Sequence, residues 1–223
     1  MTPVTLSLLV ALTATLISLP FAVASAWFLE RTQSVGRGLF QTAVMLPLVL
    51  PPVVVGYLLL KVFSPRGPLG RALEGAGVPV AFHWLGAVAA AAVVGFPLLV
   101  MMSGLAMKAI DLRLETMSRA LGRSRWQTFW RITLPLSWPG ILSGTALAFA
   151  RGLGEFGATI VLAGRIPGET ETIPLKIYAE LDAPGGEARV AGLVIISVLI
   201  CFLCVLGARA LDTWYHRQLE LDR

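Results

Sequence analysis

Five long apolar stretches constrain the fold of this chain more than any other feature of its sequence. They cover approximately residues 6–29, 39–63, 84–107, 141–166 and 190–211. Each is near or above the roughly 20 residues that a helix needs to cross a bilayer. Helices are favoured there because a backbone inside lipid must satisfy its hydrogen bonds within the same segment. The sequence therefore predicts an all-α integral membrane protein, a single domain over residues 1–223 with five transmembrane helices.

The charged residues are few and lie mostly between the apolar stretches. Only 14% of the 223 residues are charged and 56% are hydrophobic, against about 25% charged in an average soluble domain. Eleven Lys and Arg residues flank the stretches on one side of the predicted membrane and five on the other. Because cytoplasmic loops carry the excess of positive charge, we expect the N-terminus outside and the C-terminus in the cytoplasm. The net charge of +5 is thus explained by basic residues that orient the chain in the membrane, and we expect no nucleic-acid partner.

The first stretch also has a feature of a cleavable signal peptide, small residues at Ala22, Ala24 and Ala26. However, no basic residue precedes it, and the apolar run continues through Leu29. We therefore expect this stretch to be retained as the first transmembrane helix.

The longest charged stretch, residues 111–135, lies between the third and fourth apolar stretches and is predicted to be cytoplasmic. Leu114, Met117 and Leu121 recur there at helical spacing, which predicts a short amphipathic helix ended by Gly122. A second short helix at the membrane surface should carry three aromatic residues, Trp126, Phe129 and Trp130. We interpret the stretch as a docking element for a partner. The alternative is a solvated loop with interfacial aromatic residues.

Prolines interrupt the second apolar stretch at Pro47, Pro51 and Pro52. Each removes a helical hydrogen bond, and broken helices persist in membranes where neighbours or a cavity satisfy the freed carbonyls. We interpret this stretch as a helix that lines a transport pathway, with Val54 and Leu58 as candidates in its outer half. The alternative is a kink that only improves packing.

An Arg and a Glu lie within the fourth apolar stretch. Arg151 and Glu155 are four residues apart, so a continuous helix would place them on one face, where each offsets part of the other's cost of burial. Glycines in the same region would let another backbone or a solute approach closely. We interpret the region as a pathway site with four further members, Gly154, Gly157, Thr159 and Leu162. The alternative is a structural pair that holds two helices or two subunits together.

The predicted outer loop over residues 165–189 carries five acidic residues. We expect a short helix near residues 174–181 and an acidic surface to which a carrier protein with surface Lys or Arg could dock. The other outer loop, residues 64–83, is rich in Gly and Pro and is predicted to be a connector.

The sequence shows no residue pattern for catalysis or for binding a metal or cofactor. His83 and His216 lie on opposite sides of the predicted membrane, and we interpret Cys201 and Cys204 as buried apolar residues. The sequence also has no phosphate-binding loop of the form G-x-x-x-x-G-K-[ST]. The chain is therefore not expected to be an enzyme. If it transports a solute, it requires a separate motor and a second copy of itself.

The docking stretch resembles the cytoplasmic coupling loop of ABC importer permeases. The resemblance rests on Glu115, Gly122 and the ending Ile132-x-Leu134-Pro135. In that family the loop docks into a cleft of the ATPase subunit. The resemblance therefore implies that these residues couple the chain to an ATPase, together with four residues between Glu115 and Gly122, namely Met117, Ser118, Ala120 and Leu121. Met117 and Ser118 stand where the family usually has alanines, so this chain departs from the pattern in the first helix of the loop.

Much of the remaining chain is similar to the molybdate permeases among these importers. The similarity covers residues 46–52, 153–159, 172–178 and 184–187, in the same order and within the same spans. It implies a multi-pass protein of the bacterial inner membrane that imports an oxyanion, with molybdate preferred over tungstate, sulfate or thiosulfate. It also implies a homodimer, two cytoplasmic ATPase subunits and an external oxyanion-binding protein. The alternatives from another class are a non-transporting membrane scaffold and a passive channel.

Overall fold

The computed structural model describes residues 1–181 and 183–221, with side chains to residue 210 and that of Thr213. Asp182 and Arg223 therefore lie outside the described residues, as do the side chains of Leu211, His216 and Arg217. The described residues form helices and no strand. In chain order the helices are α1 (Pro3–Arg31), α2 (Gly36–Val49), α3 (Pro52–Phe63), α4 (Gly70–Gly75), α5 (Trp84–Lys108), α6 (Leu112–Ala120), α7 (Arg125–Thr128), a π-helical turn (Phe129–Thr133), α8 (Leu134–Leu153), α9 (Gly157–Leu162), α10 (Ile173–Leu181) and α11 (Glu187–Leu221).

Four segments of the described chain are long and apolar enough to cross a membrane. They are α1, α5, the continuous segment Arg125–Leu153 and the part Glu187–Ala210 of α11. α2 and α3 together would make a fifth, but they are bent by 114° relative to each other. The predicted all-helical membrane architecture is therefore confirmed, with four or five candidate spans. The predicted stretches 6–29 and 84–107 lie within α1 and α5, and 190–211 lies within the longer α11.

The core of the subunit lies where α1, α5 and α8 pack against one another. Ala22 and Ala26 of α1 and Ala148 of α8 are almost completely buried there, and such small residues let helix backbones approach closely. Leu99 and Met107 of α5 belong to the same cluster. α11 contacts α8 on one side and leaves most of its apolar surface exposed.

The second predicted stretch, residues 39–63, is two helices and not one. α2 ends at Val49, Leu50 is extended with ψ 144°, and α3 begins at Pro52. The cause is local, because Pro51 and Pro52 donate no backbone hydrogen bond and a residue before proline is driven out of the helical region. Pro47, in contrast, lies inside α2 without ending it. The break that the prolines were expected to cause is thus present, and it is a bend of 114° and not only a kink.

The fourth predicted stretch, residues 141–166, is also corrected. Its helix begins earlier, because the π-helical turn continues directly into α8, and it ends at Leu153. Gly154, Glu155 and Phe156 then form a break, in which Phe156 has φ −125° and ψ −53°, before the short helix α9. Averaged hydropathy does not detect such a break, because most of the residues around it are apolar.

Candidate functional site

The loop between α5 and α8 begins with the short helix α6. Asp111 caps its N-terminus, since Asp111 Oδ1 accepts a hydrogen bond of 2.9 Å from the backbone N–H of Arg113. Gly122 follows its C-terminus at φ +85°, a conformation that favours glycine. The backbone N–H of Arg123 then donates to the carbonyl of Ser118 at 3.3 Å. α6 is therefore a nine-residue helix that a tight turn separates from α7.

The outer side of α6 is apolar. Met117 is 63% exposed and Leu121 is 80% exposed, and Leu114 also faces outward. Ala120 and Gly122 are exposed beside them. A contiguous apolar surface that one chain leaves open is typical of a site that another protein covers.

Glu115 is buried on the inner side of α6. Its carboxylate accepts hydrogen bonds from Arg31 Nε at 3.0 and 2.9 Å and from Arg31 Nη2 at 2.9 Å. Thr133 Oγ1 donates to the same carboxylate at 2.8 Å. Arg31 is the last residue of α1 and Thr133 the last of the π-helical turn, so this carboxylate joins α6 to two other elements. Sequence reasoning identified neither partner.

A second buried contact joins α6 to α7. Ser118 is 3% exposed and shares a hydrogen bond of 3.0 Å with Thr128. The last three predicted loop residues lie where the π-helical turn passes into α8. Ile132 and Leu134 are half-buried there, and Pro135 is exposed.

Aromatic side chains attach α7 and the π-helical turn to α1. Trp126, Phe129 and Trp130 form a cluster with Trp27 of α1, in which neighbouring ring centroids are 4.9 to 6.2 Å apart. Phe129 is buried, whereas Trp126 and Trp130 are more than half exposed. Exposed tryptophans at the end of an apolar helix are typical of a membrane–water interface.

The two breaks in the membrane helices lie against each other. A Cβ atom added to Gly157, at the start of α9, would lie 2.7 Å from the Cβ of Pro52, at the start of α3. One added to Gly56 would lie 2.7 Å from the carbonyl oxygen of Ala158. Both distances are shorter than an ordinary contact, so these glycines permit close packing of α3 on α9. The structure thereby brings together two regions that the sequence marked separately, and Pro51 and Pro52 are exposed at their junction.

Arg151 and Glu155 form the ion pair that their spacing predicted. Arg151 Nη1 lies 2.8 Å from Glu155 Oε2, and the Glu155 side chain is 2% exposed. This oxygen makes no aligned hydrogen bond among the described residues, so the contact is electrostatic. The pair forms across a helix end and not along a continuous helix, because α8 stops at Leu153.

The charges of this pair also suit the two helix ends. Glu155 Oε1 accepts a hydrogen bond of 2.8 Å from the backbone N–H of Ala158 in the first turn of α9. Arg151 lies in the last turn of α8. A positive charge at a helix C-terminus and a negative charge at an N-terminus are both favourable. The pair therefore connects the end of α8 with the start of α9, and both the pathway and the structural interpretation stay predictions.

The remaining pathway candidates do not share one surface. Val54 and Leu58 of α3 are 40% and 50% exposed, and Gly154 in the break is exposed as well. Thr159 and Leu162, in contrast, are at most 1% exposed. Leu162 packs in a core cluster with residues of α3 and α5. α9 turns this side chain into the core of the single chain, and a place of Leu162 on a pathway stays a prediction.

An apolar cavity of about 360 Å³ lies beside the break, between the end of α8, α10 and α11. Sequence patterns did not link its walls, because they come from elements far apart in the chain. They include Leu153, Gly154, Phe156, Ile177, Tyr178, Ile200 and Cys201. Cys201 and Cys204, which were expected to be buried, are only half-buried.

The glutamates of the predicted acidic loop are partly neutralised by their own neighbours. Glu180 of α10 lies 2.9 Å from Lys176 Nζ and 2.7 Å from Arg189 Nη2. The hydrogen bonds from Lys176 and then Arg189 lower the pKa of Glu180, and Glu180 in turn raises the pKa of Lys176. Glu171 is also buried, 3.7 Å from Lys176. Two of the four described glutamates in this loop are exposed, so the acidic surface is smaller than the sequence predicted.

The arrangement of helices defines the class of protein. The MetNI methionine ABC transporter in an inward-facing conformation matches with a TM-score of 0.74, over 95% of this chain and 93% of that chain, at 14% identity. A bacterial alginate ABC transporter, in complex with a periplasmic protein that binds an alginate pentasaccharide, matches with a TM-score of 0.71. That match covers 92% of this chain and 75% of the other, at 22% identity. The fold is that of a membrane component of ABC transporters.

The sequence itself identifies the family. The chain belongs to the binding-protein-dependent transport system inner membrane components, which match residues 18–217. It is 51% identical over 204 residues to the molybdenum transport system permease protein ModB of Escherichia coli K12, covering 91% of this chain and 89% of that protein. ModB of Haemophilus influenzae is 44% identical over 97% of this chain and 93% of its own length.

A sulfate relative is more distant. The probable sulfate transport system permease protein cysT of Chlorokybus atmophyticus is 38% identical, over 88% of this chain and 69% of its own length. The resemblance to ABC importer permeases is thus confirmed. The chain is a transport component of the inner membrane and not an enzyme.

Proposed function

We propose that the chain is the membrane-spanning subunit of an ATP-driven importer of molybdate. The observation that carries the proposal is the 51% identity to ModB of Escherichia coli over nearly the whole chain. Identity to the sulfate relative is lower, at 38%, and covers a smaller share of that protein. Tungstate, sulfate and thiosulfate are the alternative cargoes, since they are also small oxyanions.

The loop that contains α6 faces the cytoplasm in this proposal, with the N-terminus outside and the C-terminus inside. The chain has no acidic residue from position 116 to position 154, whereas four arginines precede α8 in this segment. Such an excess of positive charge beside a span is typical of the cytoplasmic side. The exposed Trp126 and Trp130 support a place at the membrane surface.

The apolar outer side of α6 docks into a cytoplasmic ATPase subunit. Leu114, Met117 and Leu121 supply the surface that the chain leaves open. Met117 and Ser118, the two residues that depart from the family pattern, lie on different sides of α6. Ser118 is buried on Thr128 and affects the inner side of α6, whereas Met117 belongs to the docking side. A change in partner fit is therefore expected at Met117.

A second copy of the chain and the surrounding lipid cover the remaining apolar surfaces. Val54 and Leu58 are exposed beside the break between α2 and α3, and α11 is exposed along its span. Two copies would enclose a path between their broken helices and would bind two ATPase subunits. Because Arg151 and Glu155 cancel each other's charge, an oxyanion would meet no net charge at the break. An external binding protein would then deliver the cargo and set its specificity.

Uptake by proteoliposomes tests this proposal. The chain is reconstituted with its cognate ATPase and binding protein, and uptake of labelled molybdate is measured with and without ATP. The expected result is ATP-dependent uptake that excess sulfate does not reduce. ATP-independent flux would identify a passive channel, and an assembled complex without flux would identify a scaffold. Strong competition by sulfate or tungstate would reassign the cargo.

A further inference from the structure

We infer that Arg31 is a positioning residue for coupling, because it fastens α6 to α1 so that movement of α6 reaches the membrane helices. The inference rests on the proposed docking of α6 to an ATPase. It also places the carboxylate of Glu115 inside the subunit, away from the surface that a partner would cover.

Arg31 holds Glu115 through a two-point contact. Arg31 Nε lies 2.9 Å from Glu115 Oε2, and Arg31 Nη2 lies 2.9 Å from Glu115 Oε1. The same Nη2 donates to the backbone carbonyl of Met107 at 2.7 Å, near the C-terminus of α5, where helical carbonyls lack partners within their own helix. A guanidinium presents these donors in a fixed planar fork, which a lysine ammonium cannot reproduce.

The contact is shielded from water. The side chains of Arg31 and Glu115 are 16% and 8% exposed. Charged groups interact more strongly in such surroundings because solvent and salt screen them less. Thr133, which is 1% exposed, donates to Glu115 Oε1 from the other side. The carboxylate is therefore bound by α1 and by the π-helical turn at once.

Few other contacts hold α6 in place. It has nine residues, fewer than a helix needs to be stable alone. Its large apolar side chains point outward and not into a core. Among the described residues, the hydrogen bonds that join α6 side chains to other elements are those of Glu115 with Arg31 and Thr133 and the one between Ser118 and Thr128. The position of α6 relative to α1 thus depends on Arg31 and Glu115.

The connection continues into the membrane through α8. Thr133 ends the π-helical turn that leads directly into α8. α8 has 20 residues, which corresponds to a length of about 30 Å. Its far end is the break that contains Glu155. A displacement of α6 would therefore act on the ends of α1, α5 and α8 together.

The variant Arg31→Lys tests the inference, with Arg37→Lys as the matched control. Arg37 is a half-buried arginine in the first turn of α2 and has no ion pair among the described residues. Two quantities are measured. The first is molybdate imported per ATP hydrolysed by the complete importer, and the second is hydrogen exchange of the α6 amides in the permease without its partners.

We expect Arg31→Lys to assemble with the ATPase but to import about tenfold less molybdate per ATP, since hydrogen bonds to charged groups change equilibria by about this factor. The α6 amides should exchange about tenfold faster, while those of α10 stay unchanged. Arg37→Lys should match the wild type in both measurements. If Arg31→Lys fails to insert, the double variant Arg31→Gln with Glu115→Gln gives the same comparison without leaving a buried charge unpaired.

Three outcomes would overturn the inference. The first is unchanged exchange in α6, and the second is faster exchange with unchanged import per ATP. The third is loss of ATPase assembly in Glu115→Gln while Arg31→Lys behaves as wild type, which would assign Glu115 to the partner surface. Failure of the proposed function is distinguishable, because it would appear as absent molybdate uptake in the wild type. The exchange measurement requires neither cargo nor ATP.

Discussion

The variant Gly56→Ala tests the packing of the two broken helices on each other. A Cβ at residue 56 would lie 2.7 Å from the carbonyl oxygen of Ala158 and 3.0 Å from the Cβ of Val161. Ordinary contacts begin near 3.4 Å, so α3 and α9 would have to separate by the difference between 3.4 and 2.7 Å, about 0.7 Å. Overpacking costs about 1–3 kcal/mol, and the better helix propensity of alanine returns about 1 kcal/mol. The closest atoms belong to the backbone of Ala158 and cannot rotate away, so the cost should lie near the upper end of this range and the net loss should be about 2 kcal/mol.

Thermal unfolding of the purified permease and ATP-driven uptake measure this effect. Gly192→Ala is the matched control, because nothing lies within 4 Å of a Cβ added at that position in α11. Gly56→Ala should unfold at a lower temperature and import more slowly, whereas Gly192→Ala should be at least as stable as the wild type. Wild-type stability and uptake in Gly56→Ala would refute the close packing of α3 on α9. An equal loss in both variants would show that the effect does not come from this contact.

Three further predictions concern the break after α8, the turn after α6 and the contact between α10 and α11. Glu155→Gln should lower uptake more than Glu169→Gln, because Glu155 pairs with a charge and caps α9; equal effects in transport assays would contradict this. Gly122→Ala should cost about 1–2 kcal/mol through its left-handed backbone alone, since nothing lies within 4 Å of an added Cβ; unchanged thermal unfolding would refute it. The pKa of Glu180 is lowered in the folded protein, so the stabilisation that Glu180 gives to the contact between α10 and α11 is complete above the usual pKa of 4.5. This stabilisation is lost as pH falls through the lower pKa of the folded protein. The pKa of Lys176 is raised in the folded protein, so the stabilisation that Lys176 gives through Glu180 is complete below the usual pKa of 10.5. This stabilisation is lost as pH rises through the higher pKa of the folded protein. Two fluorescent labels, one on α10 and one on α11, should move apart only below the pH range between these two pKa values or above it. Separation near neutral pH would contradict the role of Glu180 and Lys176 in this contact.

Hydropathy predicted the number of spans better than their continuity. The stretches that became α1 and α5 have nearly the predicted bounds, because hydropathy reports how much apolar surface a segment offers to lipid. Continuity depends instead on backbone hydrogen bonds. The prolines at 51 and 52 gave a local signal for the first break, although as a kink and not as a bend of 114°. Gly154 gave no comparable signal, since a glycine in an apolar stretch equally indicates close packing.

Contacts were predictable only where they are local in the chain. Arg151 and Glu155 are four residues apart, so helical spacing brought them together even though the helix between them ends. Arg31 and Glu115 are 84 residues apart, and no periodicity connects them. The sequence showed only that an arginine ends the first apolar stretch, which the distribution of positive charge already explained.

Two of the four glutamates that are buried among the described residues, Glu115 and Glu155, have the same relation to helix ends. Glu115 is bound by the arginine that ends α1, and Glu155 by an arginine in the last turn of α8. Each arginine is also favoured by the negative end of its helix dipole. Removing one partner of a fully buried pair costs about 3–5 kcal/mol, and the cost should be smaller for Glu155 because the Arg151 side chain is 32% exposed. In the proposed importer these two pairs hold α6 and the break after α8 in the positions that the structure shows, and moving either one would require work from the ATPase partner.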